Sequence, residues 1–229
     1  MSNQVNARWA GFFYFLLVVG GIFSLMYVPS QILIWEDATA TFSNLKNNDG
    51  LFRLGIAVEL LSYLSFIIVP LFLYRLLHHV HEFQAKLMVI LVLVSIPVSM
   101  AAVGYKLNML DLIEGASILS TNELEVYVIN SFEAYYNLIL IAQLFWGLWL
   151  LPFGYLVYRS GMLPKVLGFF LMLGSVGYFL DFLFRILFPD FSSWAIADYI
   201  TIPASIGELG TCLWLLIMGA KDPTSPKGE

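Results

Sequence analysis

An all-α bundle of six membrane-spanning helices is the fold this sequence predicts, and three observations carry the prediction. Hydrophobic residues fill 60% of the 229 positions and charged residues only 12%, about half the charge of an average soluble domain. The mean hydropathy is +0.83, more apolar side chain than one soluble core can hide. Six uninterrupted apolar runs are each long enough to cross roughly 30 Å of hydrocarbon at about 1.5 Å per helical residue. Continuous runs, as opposed to short alternating ones, indicate helices and exclude a barrel.

The first span, about 11–34, follows a short polar lead containing Arg8. Its apolar run is longer than that of a secretory signal, and Tyr27-Val28-Pro29-Ser30-Gln31 offers no small-x-small cleavage pattern, so it reads as a retained span. The connection from Trp35 to Leu51 holds Asn47-Asn48-Asp49-Gly50, a turn signal leading into the second span, 52–77. His78, His79, His81 and Glu82 follow, and since adjacent histidines point in different directions on a helix, they read as a solvated juxtamembrane stretch and not a metal site. The third span is 87–113. The next connection, from Glu114 to Glu133, carries Glu123 and Glu125 without Lys or Arg, and its Ser120-Thr121-Asn122-Glu123 start suits either a short interfacial helix or an extended segment. The fourth span, 134–158, contains Phe145, Trp146, Trp149 and Phe153, which read as packing. The fifth and sixth are 166–188 and 197–219, and residues 220–229 read as a flexible tail. No domain-separating linker interrupts the chain, so 1–229 is expected to be one domain.

Basic residues orient the bundle. Six spans put both termini on one side, with Arg8, Arg75, Lys86, Arg159, Lys165, Lys221 and Lys227; the other side and its helix ends hold Lys46, Arg53, Lys106 and Arg185. The termini are therefore expected in the cytoplasm, in a multi-pass protein of the cell membrane. Trp9, Tyr74, Tyr155 and Tyr158 fall near the inner interface, and Trp35, Trp194 and Tyr199 near the outer one. Of 16 acidic residues, only Glu82, Asp222 and Glu229 belong to the cytoplasmic face.

The same numbers exclude functions. A net charge of -5 with no basic tract argues against nucleic acid as a partner. The single cysteine, Cys212, rules out a disulfide framework and a cysteine zinc site and reads as a packing residue. No H-E-x-x-H, G-x-S-x-G or phosphate-cradling glycine loop occurs. No metal and no cofactor are expected, and no catalytic motif argues for an enzyme. The bilayer itself is the one partner composition implies.

Chemistry is concentrated in the polar residues inside the spans, each costing at least about 2.5–3.5 kcal/mol to insert when charged. These are Glu59 in the second span, Lys106 in the third, Asn137 and Gln143 in the fourth, Asp181 and Arg185 in the fifth and Glu208 in the sixth. Asp181 and Arg185 are spaced i, i+4 for a local ion pair. Lys106 has no acid at i±3 or i±4, so its partner must come from another helix unless it snorkels. Glu208, near mid-span, must be protonated or meet a donor such as Lys106, Arg185, a tyrosine or water, and Gly207 and Gly210 would let a neighbouring helix approach it. A weak hairpin repeat relates spans 1–2 to spans 5–6: Gly11-Phe12-Phe13 aligns with Gly168-Phe169-Phe170, and Glu59-Leu60 with Glu208-Leu209.

Ala7-Arg8, Ala10-Gly11 and Tyr14 form an Ala-Arg-x-Ala-Gly-x-x-Tyr opening, and Leu51-Phe52-Arg53-Leu54-Gly55 begins the second span. Further motifs are the run Gly154-Tyr155-Leu156-Val157-Tyr158-Arg159-Ser160-Gly161-Met162-Leu163-Pro164-Lys165-Val166-Leu167-Gly168, then Gly177-Tyr178-Phe179-Leu180-Asp181 and Gly207-Glu208-Leu209. Together they resemble an uncharacterised family of bacterial six-span membrane proteins known as a domain of unknown function. The resemblance covers nearly the whole chain and implies a six-helix fold in a bacterial cytoplasmic membrane, with no activity to carry over. From the residues, the first expectation is binding or transport of a small polar, cationic or proton-linked solute in an outward-facing cavity. Glu59, Asp181 and Glu208 would line it, with Lys106 and Arg185 as counter-charges. The alternatives are an enzyme using these carboxylates on a lipid or isoprenoid, and a non-catalytic partner or sensor subunit.

Overall fold

Every long element is an α-helix, and no strand occurs among the described residues, which are 2–114 and 119–221 of the computed structural model. Six segments are long and apolar enough to cross a membrane: Asn3–Ile32, Asp49–Leu77, Glu82–Ile113, Thr121–Ser160, Lys165–Leu187 and Ala195–Ile217. They correspond one for one to the six expected spans, with bounds displaced by up to a few turns because polar helix ends continue past the apolar runs.

The elements are α1 (Asn3–Gly21), a π-helical turn (Ile22–Tyr27), α2 (Val28–Ile32), α3 (Ala38–Asn47), α4 (Asp49–Leu77), α5 (Glu82–Ile113), α6 (Thr121–Leu148), α7 (Leu150–Ser160), α8 (Lys165–Leu187), two 3-10 turns (Phe191–Ser193 and Ala195–Asp198) and α9 (Ile202–Ile217). Prolines explain the interruptions. Pro152 has no N–H and its ring crowds the carbonyl of Leu148, and α6 ends at that residue. Pro29 likewise frees the Leu25 carbonyl, inside the π turn of the first span. Pro70 and Pro97 are instead absorbed within α4 and α5.

Two connections differ from expectation. Residues 35–51 are not a plain loop: Asp37 caps α3 by accepting from the Ala40 amide at 2.8 Å, and Thr41, Phe42 and Leu45 form its buried stripe. The Ser120 segment resolves as helix. Glu123 accepts from both the amide and the hydroxyl of Ser120 (2.8 and 2.6 Å), the glutamate half of a capping box, and α6 starts directly there. Of the tail, Ala220 and Lys221 are tied down by their amides, to Gln4 Oε1 and the Met162 carbonyl, both at 3.1 Å; residues from 222 onward lie outside the described residues.

The chain forms two compact units built from interleaved segments. The first comprises Met1–Leu16, Ser65–Ile96 and Ile141–Glu229, and the second Leu17–Leu64 and Pro97–Leu140. In the first unit α7 and α8 form a hairpin turned at Gly161, whose φ of 66° only glycine adopts without strain. Met162 and Leu163 of the turn are buried, and Ser160 Oγ accepts from the Met162 amide at 3.1 Å. A Cβ on Gly154 would lie 2.6 Å from the Gly168 carbonyl oxygen, and one on Gly168 would lie 2.6 Å from that of Gly154, so the two helices touch backbone to backbone here. α9 packs on α8 the same way, with Gly207 against Leu171 and Gly174 against Ala204, and Gly11 of α1 abuts the backbone of Leu215 and Leu216. In the second unit α3 folds onto α2, Thr41 Oγ1 accepting from the Ile34 amide at 2.9 Å.

Candidate functional site

In the second unit, α4, α5 and α6 converge on one buried ion pair. Lys106 Nζ donates to Glu59 Oε2 at 2.7 Å, and the other oxygen, Oε1, accepts from Tyr63 at 2.9 Å and Tyr135 at 2.6 Å. The lysine nitrogen also sits 4.0 Å from the centroid of the Tyr135 ring, a cation–π contact. Glu59 is 1% exposed and Lys106 2%. Removing two charges from water costs several kcal/mol per ion, repaid only when the remaining hydrogen-bonding positions are filled. Here the tyrosines fill them. The partner that Lys106 required from another helix is therefore Glu59, and the pair is closed.

The first unit holds an open arrangement. Tyr14 donates to Glu208 Oε1 at 3.1 Å, and Glu208 takes part in none of the ion pairs among the described residues. Its neighbours at i−4, i+3 and i+4, namely Ala204, Thr211 and Cys212, are all buried, while Glu208 itself is only half-buried. It thus points into the packed face of α9 yet keeps accessible surface there. Around it stand Tyr14 from α1, Cys212 one turn away, and Tyr178 of α8, which lies within electrostatic reach of both Glu208 and Asp181. Trp149 backs Tyr14 at 6.0 Å between ring centroids and is itself held by Phe66 and Phe153. Asp181 Oδ2 accepts from Arg185 Nε at 2.8 Å, the i, i+4 pair the spacing required. The second oxygen, Oδ1, is buried with no partner.

Of the sequence-level candidates, then, Glu59 joins Lys106, Asp181 joins Arg185, and Glu208 joins a tyrosine. Asn137 is exposed on α6 and Gln143 half-buried. Glu59 and Lys106 belong to one unit and Gln143, Asp181, Arg185 and Glu208 to the other. Sequence reasoning offered a tyrosine as one possible donor to Glu208 without identifying Tyr14, and did not foresee Tyr63 and Tyr135 as the donors to Glu59. Tyr63 alone was findable, since it stands four residues after Glu59. Trp149, expected as packing, is fully buried.

The motifs of the sequence now have physical roles. Ala7, Ala10 and Gly11 form a close-packing stripe ending at Tyr14, which meets Glu208 of the Gly207-Glu208-Leu209 motif. The long run from Gly154 to Gly168 is the α7–α8 hairpin, its glycines supplying the helix contact and the turn. Comparison with known proteins matches residues 9–219 to the family described as Domain of unknown function (DUF4386). An uncharacterized protein of Archaeoglobus fulgidus is 35% identical over 96 residues, covering 42% of this chain and 55% of the relative. The chain therefore matches about half the length of that relative. No solved structure matches.

Proposed function

This chain belongs to the DUF4386 family of unknown function, and from that premise we propose that it binds or carries a small polar or cationic solute across the membrane in exchange for protons, with Glu208 as the exchanging group. The observation that carries the reading is the Glu208 carboxylate itself, half-buried on the packed face of α9 with one neutral donor, Tyr14. An intramembrane carboxylate without a counter-charge is stable as the neutral acid and gains a partner by binding a cation. That is the chemistry of exchange. Asp181 and Arg185 extend the polar lining, whereas Glu59 and Lys106 neutralise each other and serve to join helices. The distribution of basic residues supports a reading with both termini in the cytoplasm.

The test uses purified protein in liposomes loaded with the pH dye pyranine, with Na⁺, K⁺ and ammonium gradients imposed in turn. At least one gradient should drive proton movement beyond that of protein-free liposomes. Glu208→Gln should abolish it while leaving the gel-filtration profile and helical circular dichroism unchanged. Proton flux equal to protein-free liposomes for every gradient, or full flux in the Gln variant, would sink the proposal.

A further inference from the structure

Tyr178, Asp181 and Arg185 stand at i, i+3 and i+7 on α8, one stripe of a helix spanning roughly 10 Å along its axis. The stripe begins at a residue within electrostatic reach of Glu208 and ends at Arg185, whose side chain is 37% exposed. Between them Asp181, 6% exposed, uses one oxygen for Arg185 and leaves Oδ1 buried and unpartnered. Thr211, fully buried one turn beyond Glu208 on the same face of α9, has an unpartnered Oγ1. In a dry interior each such group bears its full desolvation cost, and buried waters are the usual means of satisfying them. The sealed pair of the second unit needs none, since both oxygens of its carboxylate are taken by protein donors.

We infer that a file of water runs along the α8 stripe, from Arg185 past Asp181 and Tyr178, and is the route by which protons reach Glu208. The inference rests on the proton-exchange reading of Glu208 and adds the path and its residues. The groups near Glu208 are Tyr14 from α1, Tyr178 from α8 and Cys212 from its own helix; Asp181, within electrostatic reach of Tyr178, is the further carboxylate of the stripe. A proton entering from bulk water is held at Asp181 Oδ1. It passes through water and the Tyr178 hydroxyl, which accepts one proton while releasing its own, and ends on Glu208 as a neutral carboxylic acid. Only O–H bonds form and break, and Asp181 and Tyr178 end unchanged.

The single cysteine makes the path directly testable. In a Cys212→Ser background, Tyr178→Cys, Asp181→Cys and Arg185→Cys are each treated with a charged, membrane-impermeant methanethiosulfonate, beside Val176→Cys and Phe179→Cys, whose parent residues are 50% and 42% exposed on the outer faces of α8. Thiolates react and thiols in lipid do not, each unit of thiol pKa being about tenfold in rate, so the three stripe positions should label at least about tenfold faster than the two controls. Equal rates at all five positions overturn the path. In the liposome assay Asp181→Asn should slow proton movement by about a hundredfold, with Asp181→Glu recovering most of it; an unchanged rate in Asp181→Asn also overturns the path. Labelling needs no transport, so a reactive stripe in a protein without flux leaves the path standing and removes the exchange reading. Flux with an unreactive stripe does the opposite.

Discussion

Glu59 and Glu208 are the same side chain in two electrostatic settings, and their partners decide what each can do. Glu59 has a full complement of donors, one of them charged. Taking away Lys106 strands its carboxylate in a site sealed from water, and breaking a buried pair in this way costs about 3–5 kcal/mol, while replacing both members with well-packed neutral groups is often tolerated. Lys106→Met should therefore lower the apparent melting temperature in detergent markedly, and Glu59→Gln combined with Lys106→Met should recover most of the loss. A single variant as stable as the parent, or a double variant no better than the single, would show that the pair is not a clamp. At this scale the sequence reading reached the residue types but not their pairing. The spacing around Lys106 demanded an acid on another helix, yet no periodicity gives the rotation that selects Glu59. Tyr135 and Tyr14 lie 76 and 194 positions from their carboxylates, and nothing local marks a tyrosine that will face one.

Helices were legible wherever apolar length alone decides them, which covers all six spans. Their interruptions were less so. Pro152 was in plain view, but whether a proline breaks a helix, as there, or is absorbed, as at Pro70 and Pro97, depends on whether neighbours take up the freed carbonyl. The short helix α3 is too short and too polar to be marked by apolar length, and its signals are local ones, the Asp37 cap and the buried Phe42 and Leu45. The α7–α8 hairpin shows what the longest motif contributes. Gly168→Ala sets a methyl against the Gly154 carbonyl, with no flexible side-chain end to yield, and should destabilise by about 1–3 kcal/mol. Gly104→Ala, in α5 with nothing within 4 Å of the added carbon, should be neutral or stabilising by up to about 1 kcal/mol. Thermal melts of the two variants side by side check this, and equal stability would remove the close contact as the reason for the glycines.

For the whole molecule, the proposed orientation predicts that green fluorescent protein fused after residue 229 is fluorescent and that alkaline phosphatase at the same point is inactive; the reverse would invert the topology and with it the side from which each polar group is reached. The two compact units could not be foreseen, because each is assembled from segments far apart in sequence and no linker marks a boundary. They divide the ionisable groups in a way that matters once a voltage exists across the bilayer. Moving one elementary charge through the full potential is worth about 2.3 kcal/mol per 100 mV. Glu59 and Lys106, 2.7 Å apart, carry no net charge together, so the pair itself gains almost nothing from the field if its two members move together. Under the proposed exchange, Glu208 changes charge each time it gains or loses a proton, so of these two carboxylates it is the one whose chemistry a membrane voltage would bias.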